Sequence, residues 1–99
     1  MEDINVEDLK SRLDSGDKFV FLDVREEWEY DEDNLGAKNI PLGDLPTRLK
    51  ELEDFKDSEI IVHCRSGARS NNAKRFLETK GFTQVRNVTG GIMAFRNLA

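Results

Sequence analysis

Ninety-nine residues, 37% of them hydrophobic and 35% charged, are enough for one small core beneath a well-solvated surface. The net charge of −5 argues against non-specific nucleic-acid binding, and no apolar run approaches the roughly 18 residues of a membrane helix. The single cysteine excludes an internal disulfide and a cysteine-ligated zinc cluster. The start, Met1-Glu2-Asp3-Ile4, is acidic and does not read as a signal peptide, so a reducing cytoplasm is the expected compartment.

In chain order, Asn5 reads as the N-cap of a helix that places Val6, Leu9 and Leu13 on one face and ends at Gly16. Phe19-Val20-Phe21-Leu22 is a continuous apolar run, as in a strand covered on both faces, with Asp23 and Arg25 beyond its C-terminal end. Glu26 to Tyr30 suits a short helical turn in which Trp28 and Tyr30 are expected to pack. Ala37 to Ile40 reads as a short strand stopped by Pro41. Asp44 is expected to cap an α-helix with Leu45, Leu49 and Leu52 on its apolar side and Pro46 in its first turn. Glu59 to His63 forms a second buried strand. After Cys64-Arg65-Ser66-Gly67-Ala68-Arg69-Ser70 comes a helix to about Lys80, buried through Ala73, Phe76 and Leu77 and closed by Gly81. Val85 to Val88 is the last strand, and Gly90-Gly91 opens a terminal helix carrying Ile92, Phe95 and Leu98. Strands alternating with helices predict one α/β domain over residues 1–99, with a mostly parallel central sheet and helices on both faces. Ligands of such sheets bind beyond the carboxyl ends of the strands, where Cys64 sits.

Charge singles out the same place. From Ile60 to Leu77 there is no Asp or Glu but there are four cations, Arg65, Arg69, Lys74 and Arg75, so the other 81 residues sum to −9. A strand, a tight loop freed by Gly67 and a helix N-terminus together form an anion site, in which amides and the helix dipole favour negative charge. Those influences and the two arginines depress a cysteine pKa, and the thiolate is the nucleophile. His63 is adjacent in sequence, but strand alternation points it to the opposite face, so a structural role is expected for it. No metal site or cofactor motif stands out.

These residues resemble a family. The chain is similar to single-domain rhodaneses, the thiosulfate sulfurtransferases, nearly end to end: in Asp23-Val24-Arg25-Glu26 with Trp28-Glu29-Tyr30, in Gly36-Ala37 with Asn39-Ile40-Pro41-Leu42, in the Cys64–Ser70 loop and in Gly90-Gly91-Ile92. The resemblance implies a rhodanese-like fold and a persulfide relay. Cys64 would take a sulfane sulfur from a small anionic donor such as thiosulfate. The amides of Arg65, Ser66, Gly67, Ala68 and Arg69 would cradle it, Arg65 and Arg69 would orient the donor, and cyanide or a thiol would carry the sulfur away. A protein acceptor is compatible with this scheme. Two departures affect the rim: Asp33-Asn34-Leu35 replaces a common His-Ile-Pro, and Phe95 stands where Trp is common. A cysteine phosphatase or arsenate reductase would carry Cys-x5-Arg, one residue longer than the spacing from Cys64 to Arg69. A non-catalytic interaction module on the same fold would be expected to lack the nucleophile.

Overall fold

The computed structural model describes residues 1–98. Four parallel strands, β1 (Val20–Asp23), β2 (Lys38–Asn39), β3 (Glu59–His63) and β4 (Gln84–Asn87), form one sheet in the order β2-β1-β3-β4. An isolated parallel bridge from Ile4 to Val88 extends pairing past β4, and the sequence pattern gave no sign of it. The chain runs from β1 to one edge, then crosses back to β3 on the other side. The topological switch point therefore lies between the carboxyl ends of β1 and β3.

Alternation along the strands divides the core into two layers. Ile60, Val62 and Cys64 face one side, with Leu22, Val24, Ala73, Leu77, Leu45 and Leu52. Ile61 faces the other, with Ile4, Val6, Leu9 and Val88. Helix α3 (Ala68–Thr79) covers the first layer, while α1 (Val6–Ser15) and α4 (Gly91–Arg96) cover the second, so both faces carry helices as expected. The caps of α1 are those read from the sequence. Asn5 Oδ1 accepts from the Asp8 amide at 2.7 Å, and Gly16 closes the helix in the left-handed region.

Two expectations are corrected. Residues 42–55 form 3₁₀ segments, Leu42–Asp44 and Leu49–Phe55, and not one α-helix; Asp44 ends the first segment and caps nothing. The leucines at 49 and 52 are three apart, which a 3₁₀ turn satisfies as well as an α-helix does. Trp28, expected to pack, is 63% exposed on α2 (Glu27–Glu32), a helix with no buried residue. Tyr30 does serve structure, its hydroxyl donating to the Ala37 carbonyl at 2.5 Å. No helix among the described residues is long and apolar enough to cross a membrane.

Candidate active site

The loop from Cys64 to Gly67 joins β3 to α3 at the switch point. Its fold depends on where its polar backbone groups go. The Cys64 and Arg65 carbonyls turn outward to the first turn of α4, accepting from the Ile92 amide at 3.0 Å and the Met93 amide at 3.1 Å. That close approach requires Gly91. A Cβ built there would lie 2.4 Å from the Arg65 carbonyl oxygen and 2.5 Å from that of Cys64. With the carbonyls held outside, N–H groups are left pointing in. Gly67, at φ +110°, makes the turn into α3 that a residue with a side chain would resist.

The inward donors converge on sulfur. Cys64 Sγ accepts from the Gly67 amide at 3.1 Å, the Ser70 amide at 3.4 Å and the Ser70 hydroxyl at 3.3 Å. Burial pushes the thiol up, but the Ser70 hydroxyl, with the amides of Ser70, Gly67 and Ser66, outweighs it and leaves the pKa below that of an ordinary thiol. The loop encloses the sulfur: Cys64 is 1% exposed, whereas Arg65 and Ser66 are exposed. Ser70 has one hydroxyl proton and three acceptors in reach, namely Cys64 Sγ, the Gly67 carbonyl and Asn87 Oδ1. Asn87 also donates to the Gly67 carbonyl at 3.2 Å, and its own amide is tied to Asp3. Both Ser70 and Asn87 are buried, and neither was among the site residues expected from the sequence. Ser70 closes the motif that carried the resemblance. Asn87 could be reached only through strand order, because register sets it beside Val62.

The two arginines separate. Arg69 gives both terminal nitrogens to Glu29, at 2.6 and 3.0 Å, and pulls that carboxyl down to about 2 against partial burial. Arg65 has no carboxylate partner among the described residues; its Nε donates to Met93 Sδ at 3.3 Å. Ala68 opens α3 and donates no hydrogen bond to the sulfur. His63 takes the opposite face, as alternation predicts. It is fully buried against Phe21, with Nδ1 3.2 Å from the Cys64 carbonyl. Its Nε2 lies 3.5 Å from Asp23 Oδ2 without a hydrogen bond. Burial holds its pKa below the ordinary histidine value, so the ring is neutral at pH 7 and makes no contact with Sγ. Asp23 is clamped by Arg25, which reaches on to the Glu29 and Asp33 carbonyls and fixes the end of α2. Asp33, in the segment that departs from the family pattern, pairs with Arg96 of α4 at 2.7 Å.

A cysteine sulfur held by two amides and a hydroxyl, at the carboxyl edge of a parallel sheet, places the chain among α/β domains with a cysteine loop between strand and helix. Comparison with known proteins narrows that class. The model of the rhodanese-like domain matches residues 5–98, and the chain belongs to that family. YtwF of Bacillus subtilis (strain 168), which bears a provisional sulfurtransferase name, is 36% identical over 96 residues, spanning 96% of this chain and 90% of the relative. A protein of Allochromatium vinosum named sulfurtransferase is 32% identical over 96% of this chain and 88% of its own. Among solved structures, a rhodanese-like domain protein of Staphylococcus aureus superposes with a TM-score of 0.86 at 29% identity, covering 96% of this chain and 91% of that one.

Proposed function

We propose that this chain is a sulfurtransferase that carries a sulfane sulfur as a persulfide on Cys64. The observation that carries the reading is the convergence of the Gly67 amide, the Ser70 amide and the Ser70 hydroxyl on Sγ, which favours a thiolate and, after transfer, an anionic persulfide. In the first step the thiolate attacks the outer sulfur of a small anionic donor such as thiosulfate. The new S–S bond forms as the donor's S–S bond breaks, and sulfite leaves with the electron pair. In the second, cyanide or a thiol attacks the outer sulfur, and the Cys64 thiolate is the leaving group. No proton need be removed from Cys64 in either step, so the lack of a histidine at Sγ is no obstacle.

Arg65 and the amides of residues 65–69 are assigned to the donor. Arg65 is exposed at the loop's rim and free of carboxylates among the described residues, which suits it to draw in an anion. Arg69, paired with Glu29, holds the start of α3 against α2 and leaves the drawing-in of the donor to Arg65. A phosphatase needs an arginine free to clasp a phosphoryl group, and Arg69, committed to Glu29, is poorly placed for that. A lone activated thiolate is preserved by a reducing compartment, so the cytoplasm is the proposed setting. The test is thiosulfate:cyanide transfer by Cys64→Ser. Serine neither ionises at neutral pH nor forms a persulfide, so the variant should fold and lose the activity; more than a few per cent of wild-type turnover would remove Cys64 as the carrier.

A further inference from the structure

A cleft of about 490 Å³ opens beside the loop, between α2 and α4, with Trp28, Glu32, Arg65, Ile92 and Met93 on its walls. Trp28 and Met93 are 63% and 46% exposed, so two large apolar side chains face water on one groove. Such exposure beside a reactive loop marks a surface that gains by being covered. The charges around it are unevenly satisfied. Arg25, Glu29 and Asp33 are neutralised by Asp23, Arg69 and Arg96. Glu32, on the cleft wall with Trp28, and the exposed Glu26, Glu27 and Asp31 of the same segment have no ion-pair partner among the described residues. Thiosulfate, a small dianion drawn to Arg65 at the loop mouth, has no use for an indole. The net charge of −5 and the free carboxylates of α2 disfavour a phosphate backbone.

We propose that this cleft docks a polypeptide acceptor whose thiol is carried on a segment with lysine or arginine and one apolar side chain. The apolar side chain covers Trp28 and Met93, and the basic residues lie against Glu32 and the other free carboxylates of α2. Arg65, tied to Met93 through Sδ, joins the docked segment to the mouth of the sulfur loop. That the docked group is a thiol rests on the sulfur-transfer reading; the docking itself does not. Exposed charge pairs of this kind add little individually, but together they steer encounter and select partners, and they weaken as salt rises.

Trp28 is the only tryptophan of the chain, so its fluorescence reports occupancy of the cleft directly. The probes are two short synthetic peptides with one Ser-Leu core, flanked in one by lysines and in the other by glutamates. The serine stands in for the thiol and removes the chemistry. The lysine peptide is expected to shift Trp28 emission saturably and to bind about tenfold more tightly at low salt, with the gap closing as salt is added. The double substitution Glu27→Lys and Glu32→Lys, at exposed positions, should abolish that preference. Equal binding of the two peptides, a preference that survives the charge reversal, or a single-stranded oligonucleotide that shifts Trp28 more effectively than the lysine peptide would each overturn the docking. The cysteine versions are then added to protein loaded from thiosulfate, where the lysine peptide should discharge the sulfur faster by a similar factor. Protein that binds the lysine peptide but takes up no sulfur overturns the sulfur-transfer reading, and with it the thiol of the acceptor.

Discussion

Replacing Gly91 by alanine isolates the packing that turns the loop's carbonyls outward. Two costs are expected. At φ +60° alanine sits in the left-handed region, which costs about 1–2 kcal/mol, partly offset by about 0.4–1 kcal/mol of lost freedom in the unfolded chain. The new Cβ would also lie 2.4 and 2.5 Å from backbone atoms of Arg65 and 2.5 Å from the Cys64 carbonyl oxygen. Backbone cannot swing aside as a side-chain tip can, and overpacking of this kind adds about 1–3 kcal/mol. The net loss is then about 2–4 kcal/mol, a large share of the roughly 5–15 kcal/mol that holds a domain together. Gly16→Ala is the control: φ is +75°, but nothing lies within 4 Å of its Cβ, so only the conformational cost of about 1 kcal/mol applies. Urea unfolding of the two variants gives the difference. Alkylation of Cys64 by iodoacetamide reads the loop itself and should change in Gly91→Ala but not in Gly16→Ala. If Gly91→Ala costs no more than the control and leaves alkylation unchanged, the close approach of α4 is not what shapes the loop.

Ser70→Ala removes one of the groups holding the Cys64 pKa down, so the midpoint of the alkylation rate against pH should move to higher pH; an unmoved midpoint would assign the activation to the amides alone. Glu29→Gln should destabilise the fold at neutral pH. Because the folded-state pKa of Glu29 is depressed, its contribution is fully present above about 4.5 and is lost as pH falls toward about 2, so urea curves of variant and wild type should converge there; a gap constant down to pH 2 would contradict the pairing with Arg69. Inserting one residue between Cys64 and Arg69 should weaken sulfur transfer, since amide donors stabilise charge best at about 2.7–3.1 Å; undiminished transfer would show that loop length does not select the chemistry.

Most of this arrangement can be read from the chain because local rules and the tertiary structure agree at the centre of the sheet. The apolar run at β3, the glycine at the loop and the periodicity of α3 all point one way, and strand alternation separates His63 from Cys64 without any structure. Disagreement begins where local signals are ambiguous. The leucines at 49 and 52 fit either helical type, and Pro46, tolerated in a first α-turn, does not decide between them. Trp28 looks like core by its chemistry alone; its exposure follows from α2 standing off the sheet on the Arg25 clamp, a tertiary feature. Asn87 is silent in sequence because it reaches the sulfur loop by register between parallel strands, 20 residues beyond Gly67. The Ile4–Val88 bridge is silent for the same reason, joining the two ends of the chain.

The most direct test of the persulfide on Cys64 is intact mass spectrometry of the protein before and after thiosulfate. Wild type should gain the mass of one sulfur atom, lose it on addition of cyanide, and keep it in the absence of any acceptor, since no second cysteine exists to discharge it. Cys64→Ser should gain nothing. A wild-type mass unchanged by thiosulfate, or the same gain in the serine variant, would contradict the assignment of Cys64 as the sulfur carrier.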